Sequence, residues 1–141
     1  MSIELLVVLA ASKAPDWSSW NQALWEAHLP ASLARSVDLR RHSGFLPVRV
    51  AGRATGFYFQ RESASDLAAL YPPLATVPLV EPVVYSLSFD ARPEQCAAAY
   101  LSASVLVARF GGIAFDTRQG ALLSLEQVDD GARQCLSLVP K

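Results

Sequence analysis

Histidine, cysteine and glycine are scarce in this 141-residue chain: two, two and seven respectively. Each shortage narrows the chemistry available. Nucleophilic catalysis at neutral pH needs a hydroxyl or thiol held against a base. Neither His28 nor His42 stands in a motif that supplies such a pair, so both are expected to be surface or capping imidazoles. Cys96 and Cys135 lie far apart, with no second Cys or His at ligand spacing. That disfavours a zinc site and a disulfide framework, and predicts buried thiols in a reducing compartment. Gly111-Gly112 comes after a helical segment and before an extended one, the reverse of a phosphate-cradling loop, and reads as a helix stop. The expectation is a chain with no metal, no cofactor and no catalytic constellation.

Charge of one sign is lacking too. Twelve Lys and Arg against thirteen Asp and Glu leave a net charge of -1, which provides no global field for nucleic acid or an anionic membrane. No apolar run approaches the roughly 20 residues that cross a bilayer. The apolar start, Ile3 to Ala10, carries Glu4 where a secretory leader needs positive charge, so a first strand is expected there and the protein is expected to be cytoplasmic. With 52% hydrophobic residues, disorder is excluded, and residues 1–141 are expected to form a single domain.

Residues 3–10 lack polar alternation, as in a strand covered on both faces. Pro15-Asp16 then precedes a helix whose Trp17, Trp20, Leu24 and Ala27 share a face, with Trp25 off that stripe. Residues 30–42 read as weakly helical. Two strands follow, 44–50 and 55–60, joined by a turn over 51–54; Pro47 predicts that its strand lies at an edge or begins there. A short helix at 65–70 is stopped by Pro72-Pro73, and the proline-rich stretch up to Pro82 is a packed connection. Residues 83–90 alternate with period two. Between Pro93 and Gly111 runs a central helix with almost no charged face. A hairpin over 113–123 leads to a last helix whose start is a Ser124/Gln127 capping box. This order predicts an α+β fold, a mainly antiparallel sheet with helices packed on one face, of which a ferredoxin-like core is one arrangement.

Local charge is more informative than the total. Residues 35–61 hold six arginines against Asp38 alone, a surplus of +5. Arginine suits planar recognition of carboxylate or phosphate and is enriched at interfaces. Arg40, Arg41, Arg49 and Arg53, with the aromatic side chains of Tyr58 and Trp25, are therefore the candidate partner-binding residues. An alternative is a small-ligand or enzymatic site in a pocket beside the 93–110 helix, using Tyr85, Tyr100 or Asp116. A third reading is a homodimer formed through a strand edge or the tryptophan face.

Two stretches carry a family resemblance: Ser43-Gly44-Phe45-Leu46-Pro47-Val48 with Thr55-Gly56-Phe57, and Ala108-Arg109-Phe110-Gly111-Gly112-Ile113-Ala114-Phe115-Asp116 continuing through Gln119-Gly120-Ala121-Leu122-Leu123-Ser124. Together they resemble small bacterial immunity proteins encoded beside secreted toxins, including type VI effectors. The resemblance implies a non-enzymatic role, binding and silencing a cognate toxin, and assigns no contact residues.

Overall fold

The computed structural model describes residues 2–140. In chain order they form β1 (Ile3–Ala10), α1 (Trp17–Glu26), β2 (Ala31–Leu33), β3 (Gly44–Val50), β4 (Arg53–Ser63), α2 (Ala64–Leu70), a 3-10 turn (Pro72–Thr76), β5 (Pro82–Phe89), α3 (Pro93–Phe110), β6 (Ile113–Asp116), β7 (Ala121–Leu123) and α4 (Leu125–Leu138). All seven strands belong to one sheet in the order β2-β3-β4-β5-β1-β6-β7, and every neighbouring pair is antiparallel. The fold is α+β. Its central order β4-β5-β1-β6, with α1 following β1 and α3 joining β5 to β6, is compatible with a ferredoxin-like core extended at both edges.

Because side chains alternate across a strand, the two sheet faces can be read off the register. Leu5, Val7 and Leu9 of β1, Phe57 and Phe59 of β4, Tyr85, Leu87 and Phe89 of β5, and Leu46, Val48 and Val50 of β3 share the main core. Onto this face pack α1 and α3, and α4 lies along α3. The small buried residues of α3, Ala97 to Ala99, Ser102 and Ala103, allow close approach to the sheet. Trp20 is the wedge between α1 and the sheet. Its indole N–H donates to the Ser102 carbonyl (3.0 Å), and Phe57, Phe59 and Tyr85 surround it with centroids at 6.2, 5.9 and 5.8 Å. On the opposite face Leu6, Val8, Val84 and Phe115 form a smaller cluster under Leu67 and Leu74. The apolar run of β1 follows from its central position between two cores.

The helix signals act as read. Asp16 caps α1 by accepting from Ser19 N (2.8 Å), Gly111 ends α3 in the left-handed conformation (φ 69°), and both bonds of the Ser124/Gln127 box are made. Three local expectations are corrected. Residues 30–42 hold no helix: Ala31 and Leu33 are buried in β2, which pairs with β3, and Asn21 Oδ1 accepts Leu33 N (2.8 Å). Pro47 is mid-strand in β3, neither at its start nor in the outermost strand. It lies where the β2–β3 ladder ends: its carbonyl accepts the Ala34 N–H (2.9 Å), and the return bond that would need its missing N–H is the one at which the pairing stops. Cys96 and Cys135 are not free thiols but a disulfide between α3 and α4, with Cα atoms 5.7 Å apart. Their 39-residue separation in sequence concealed what the antiparallel packing of two helices brings together.

Candidate functional site

The second sheet face is only partly roofed. α2 and the 3-10 turn cover the side near β5, β1 and β6, and leave the outward side chains of β3 and β4 without a covering layer. There the register sets Phe45 opposite Tyr58 and Pro47 opposite Gly56. Phe45 and Tyr58 are 40% and 58% exposed and meet edge to face at 5.5 Å. Gly56 is required at this place: its φ is +153°, and a Cβ would run into the Leu46 carbonyl and the Phe45 ring.

Further along the same face Arg49 pairs with Ser32 of β2. Both line a shallow groove of about 540 Å³ at the sheet edge, together with Trp25, His28 and Gly52. Trp25, off the buried stripe of α1, is 72% exposed. A strip therefore runs from Trp25 on α1, around the sheet edge through Arg49, to the Phe45–Tyr58 pair. Arg49 and Phe45 are four residues apart on one strand face, a span of about 14 Å at ordinary strand rise.

In the strand rows beyond Tyr58 the face becomes acidic. Ser86 and Ser88 hydroxyls donate to Glu4 Oε2 (3.1 and 3.4 Å). The carboxyl of Glu62 is raised above its ordinary value, first by desolvation and then by the charge of Glu4, against a lowering hydrogen bond from Ser86. An aromatic pair thus sits between an arginine on one side and two carboxylates on the other.

The six residues singled out in the sequence do not form one cluster. Trp25 and Arg49 share the groove, and Tyr58 lies on the adjoining face. Arg53 is at the tip of the β3–β4 hairpin, donating to the Pro140 carbonyl (3.1 Å). Arg41 faces Asp38 at 3.9 Å in the loop before β3. Arg40 lines a separate cavity of about 400 Å³ with Lys13, Arg61, Tyr85 and Phe110. Sequence reading missed Phe45, Glu4 and Glu62; the signal available was the period-two alternation that places Phe45 and Arg49 on one face of their strand.

Of the residues named for an enzymatic alternative, only Tyr85 reaches that cavity. Its hydroxyl donates to the Pro15 carbonyl (2.8 Å), and burial raises its pKa against the lowering effect of Arg61 and Arg40. Tyr100 packs against Phe89, with centroids 6.0 Å apart, and beside Gly131, where a Cβ would come within 2.6 Å of the ring. Asp116 is buried and accepts from the backbone N–H groups of Arg118 (2.8 Å) and Gln119 (3.4 Å), holding the β6–β7 turn. His42 Nε2 lies 3.0 Å from the Phe45 carbonyl, and His28 terminates α1 with φ 56°. No protein-family model, curated protein or solved structure matches this chain. Among the described residues no helix is long and apolar enough to cross a membrane.

Proposed function

We propose that this protein is a binding module of the toxin-immunity kind, which neutralises a cognate secreted toxin by docking the Trp25–Arg49–Phe45–Tyr58 strip against it. The observation that carries the proposal is the exposure of Phe45 and Tyr58 on an unroofed sheet face, with Arg49 on the same face and the exposed Trp25 of α1 beside it in the groove at the sheet edge. Tryptophan, tyrosine and arginine dominate interface energetics because each buries a large area while retaining a polar group to pair. Rigid strands hold Phe45 and Tyr58 in place before contact, so docking costs little conformational entropy. The partner surface that fits is an apolar patch with a carboxylate placed for Arg49 and a cation for the Glu4–Glu62 end.

Protection of cells that express the toxin encoded by the adjacent gene is the test. Tyr58→Asp and Trp25→Ala, both at exposed sites, should keep the melting temperature within a few degrees and remove protection. Full protection by the double variant would overturn the proposal. Glu4 in the apolar start and the reading of free thiols both point to the cytoplasm, whereas the Cys96–Cys135 bond fits an oxidising compartment better. Self-association through the β2 edge is disfavoured, since Asn21 already occupies the Leu33 N–H.

A further inference from the structure

On the helix-covered side of the sheet, away from the aromatic strip, the β1–α1 connection, the Asp38–Arg40 loop, β4 and the end of α3 enclose the 400 Å³ cavity. We propose that this cavity binds a small organic molecule through an oxyanion, phosphate or carboxylate, held by Arg61, Arg40 and Lys13, with Tyr85 and Phe110 against its apolar part. These three cations come from three segments distant in sequence. Among the described residues none forms an ion pair, and none of their side chains has a hydrogen-bond partner.

The two carboxylates of the lining leave it a surplus of one positive charge, and neither forms an ion pair with Lys13, Arg40 or Arg61. Asp16 accepts the Ser19 N–H as the cap of α1 (2.8 Å). Asp38 accepts the Arg40 N–H (3.0 Å) and faces Arg41 at 3.9 Å. Neither carboxylate is held by a side chain of the three cations, Asp38 taking only the backbone N–H of Arg40. The volume falls in the usual range for small-ligand sites, about 300–1,000 Å³, and guanidinium pairs are suited to planar or tetrahedral oxyanions. The start of α1 adds a favourable dipole but, already capped, it is not what selects the ligand.

Titration of the intact protein with inorganic phosphate, phenyl phosphate and benzoate at low salt, followed through backbone amide shifts of Ser19, Arg40 and Arg61, tests the site. Saturable binding is expected for at least one oxyanion class, with phenyl phosphate at least tenfold tighter than inorganic phosphate if the class is phosphate. Benzoate binding alone would assign carboxylates. Arg61→Gln and, independently, the loop variant Arg40→Gln should each weaken binding tenfold or more. Arg49→Gln, on the opposite face, should leave it unchanged. Non-saturating shifts with all three probes, undiminished binding by both cavity variants, or equal weakening by Arg49→Gln would overturn the proposal.

Discussion

Replacing Trp20 with phenylalanine alters a side chain that ties α1, α3 and the sheet together. The indole is completely buried, donates to the Ser102 carbonyl at 3.0 Å and touches three aromatic rings. Phenylalanine keeps part of the ring stacking but loses the donor, a net loss of about 1 kcal/mol. The space vacated among the close-packed rings of Phe57, Phe59 and Tyr85 costs a further ~1–2 kcal/mol if it does not collapse. A total of about 2–3 kcal/mol corresponds to a drop in melting temperature of roughly 5–15 °C for a domain of this size. Urea unfolding followed by far-ultraviolet circular dichroism is the suitable assay, because the substitution removes one of the three tryptophans that fluorescence would report on. A loss below ~0.5 kcal/mol with an unchanged denaturant slope would refute this role for Trp20.

The β3–β4 hairpin turns through Ala51 and Gly52 with φ values of 50° and 81°; Ala51→Asn should raise stability by about 0.5–1 kcal/mol, since asparagine tolerates that conformation, and an unchanged or lower urea midpoint would contradict it. Opening the Cys96–Cys135 bond frees a 39-residue separation, worth up to about 4 kcal/mol by loop entropy; protein isolated under alkylating agent should show no modified thiol, and reduction should lower the melting temperature. Glu62 has its pKa raised by burial and by Glu4, so the folded state holds its proton more tightly than the unfolded state does. Its contribution therefore favours folding at low pH and is lost as pH climbs from the ordinary 4.5 to the raised value. Glu62→Gln should flatten stability across that window, and an identical pH profile in the variant would contradict the raised pKa.

Features written in local chemistry were legible in the sequence. Pro93 and Gly111 bound α3, Ser124 and Gln127 start α4, and the apolar run from Leu5 to Ala10 in β1 marks a strand between two cores. Trp25 stood off the α1 stripe and is exposed, as its angle implied. What depended on tertiary pairing was not legible. β2 is three residues long and exists through its ladder to β3 and the Asn21 side chain, so no periodicity announces it. The disulfide needed the α3–α4 packing. The candidate surfaces divide in the same way: an arginine-rich segment is visible in the chain, but only the register puts Phe45 against Tyr58, and only the fold separates Arg40 and Arg61 from Arg49.

Calorimetric titration of the purified protein with an inactive form of the proposed cognate toxin bears most directly on the proposed docking strip. The unmodified protein should bind with submicromolar affinity, and Tyr58→Asp should bind at least a hundredfold more weakly at unchanged stability. Equal affinity of the two, or no heat of binding at micromolar concentration, would contradict it.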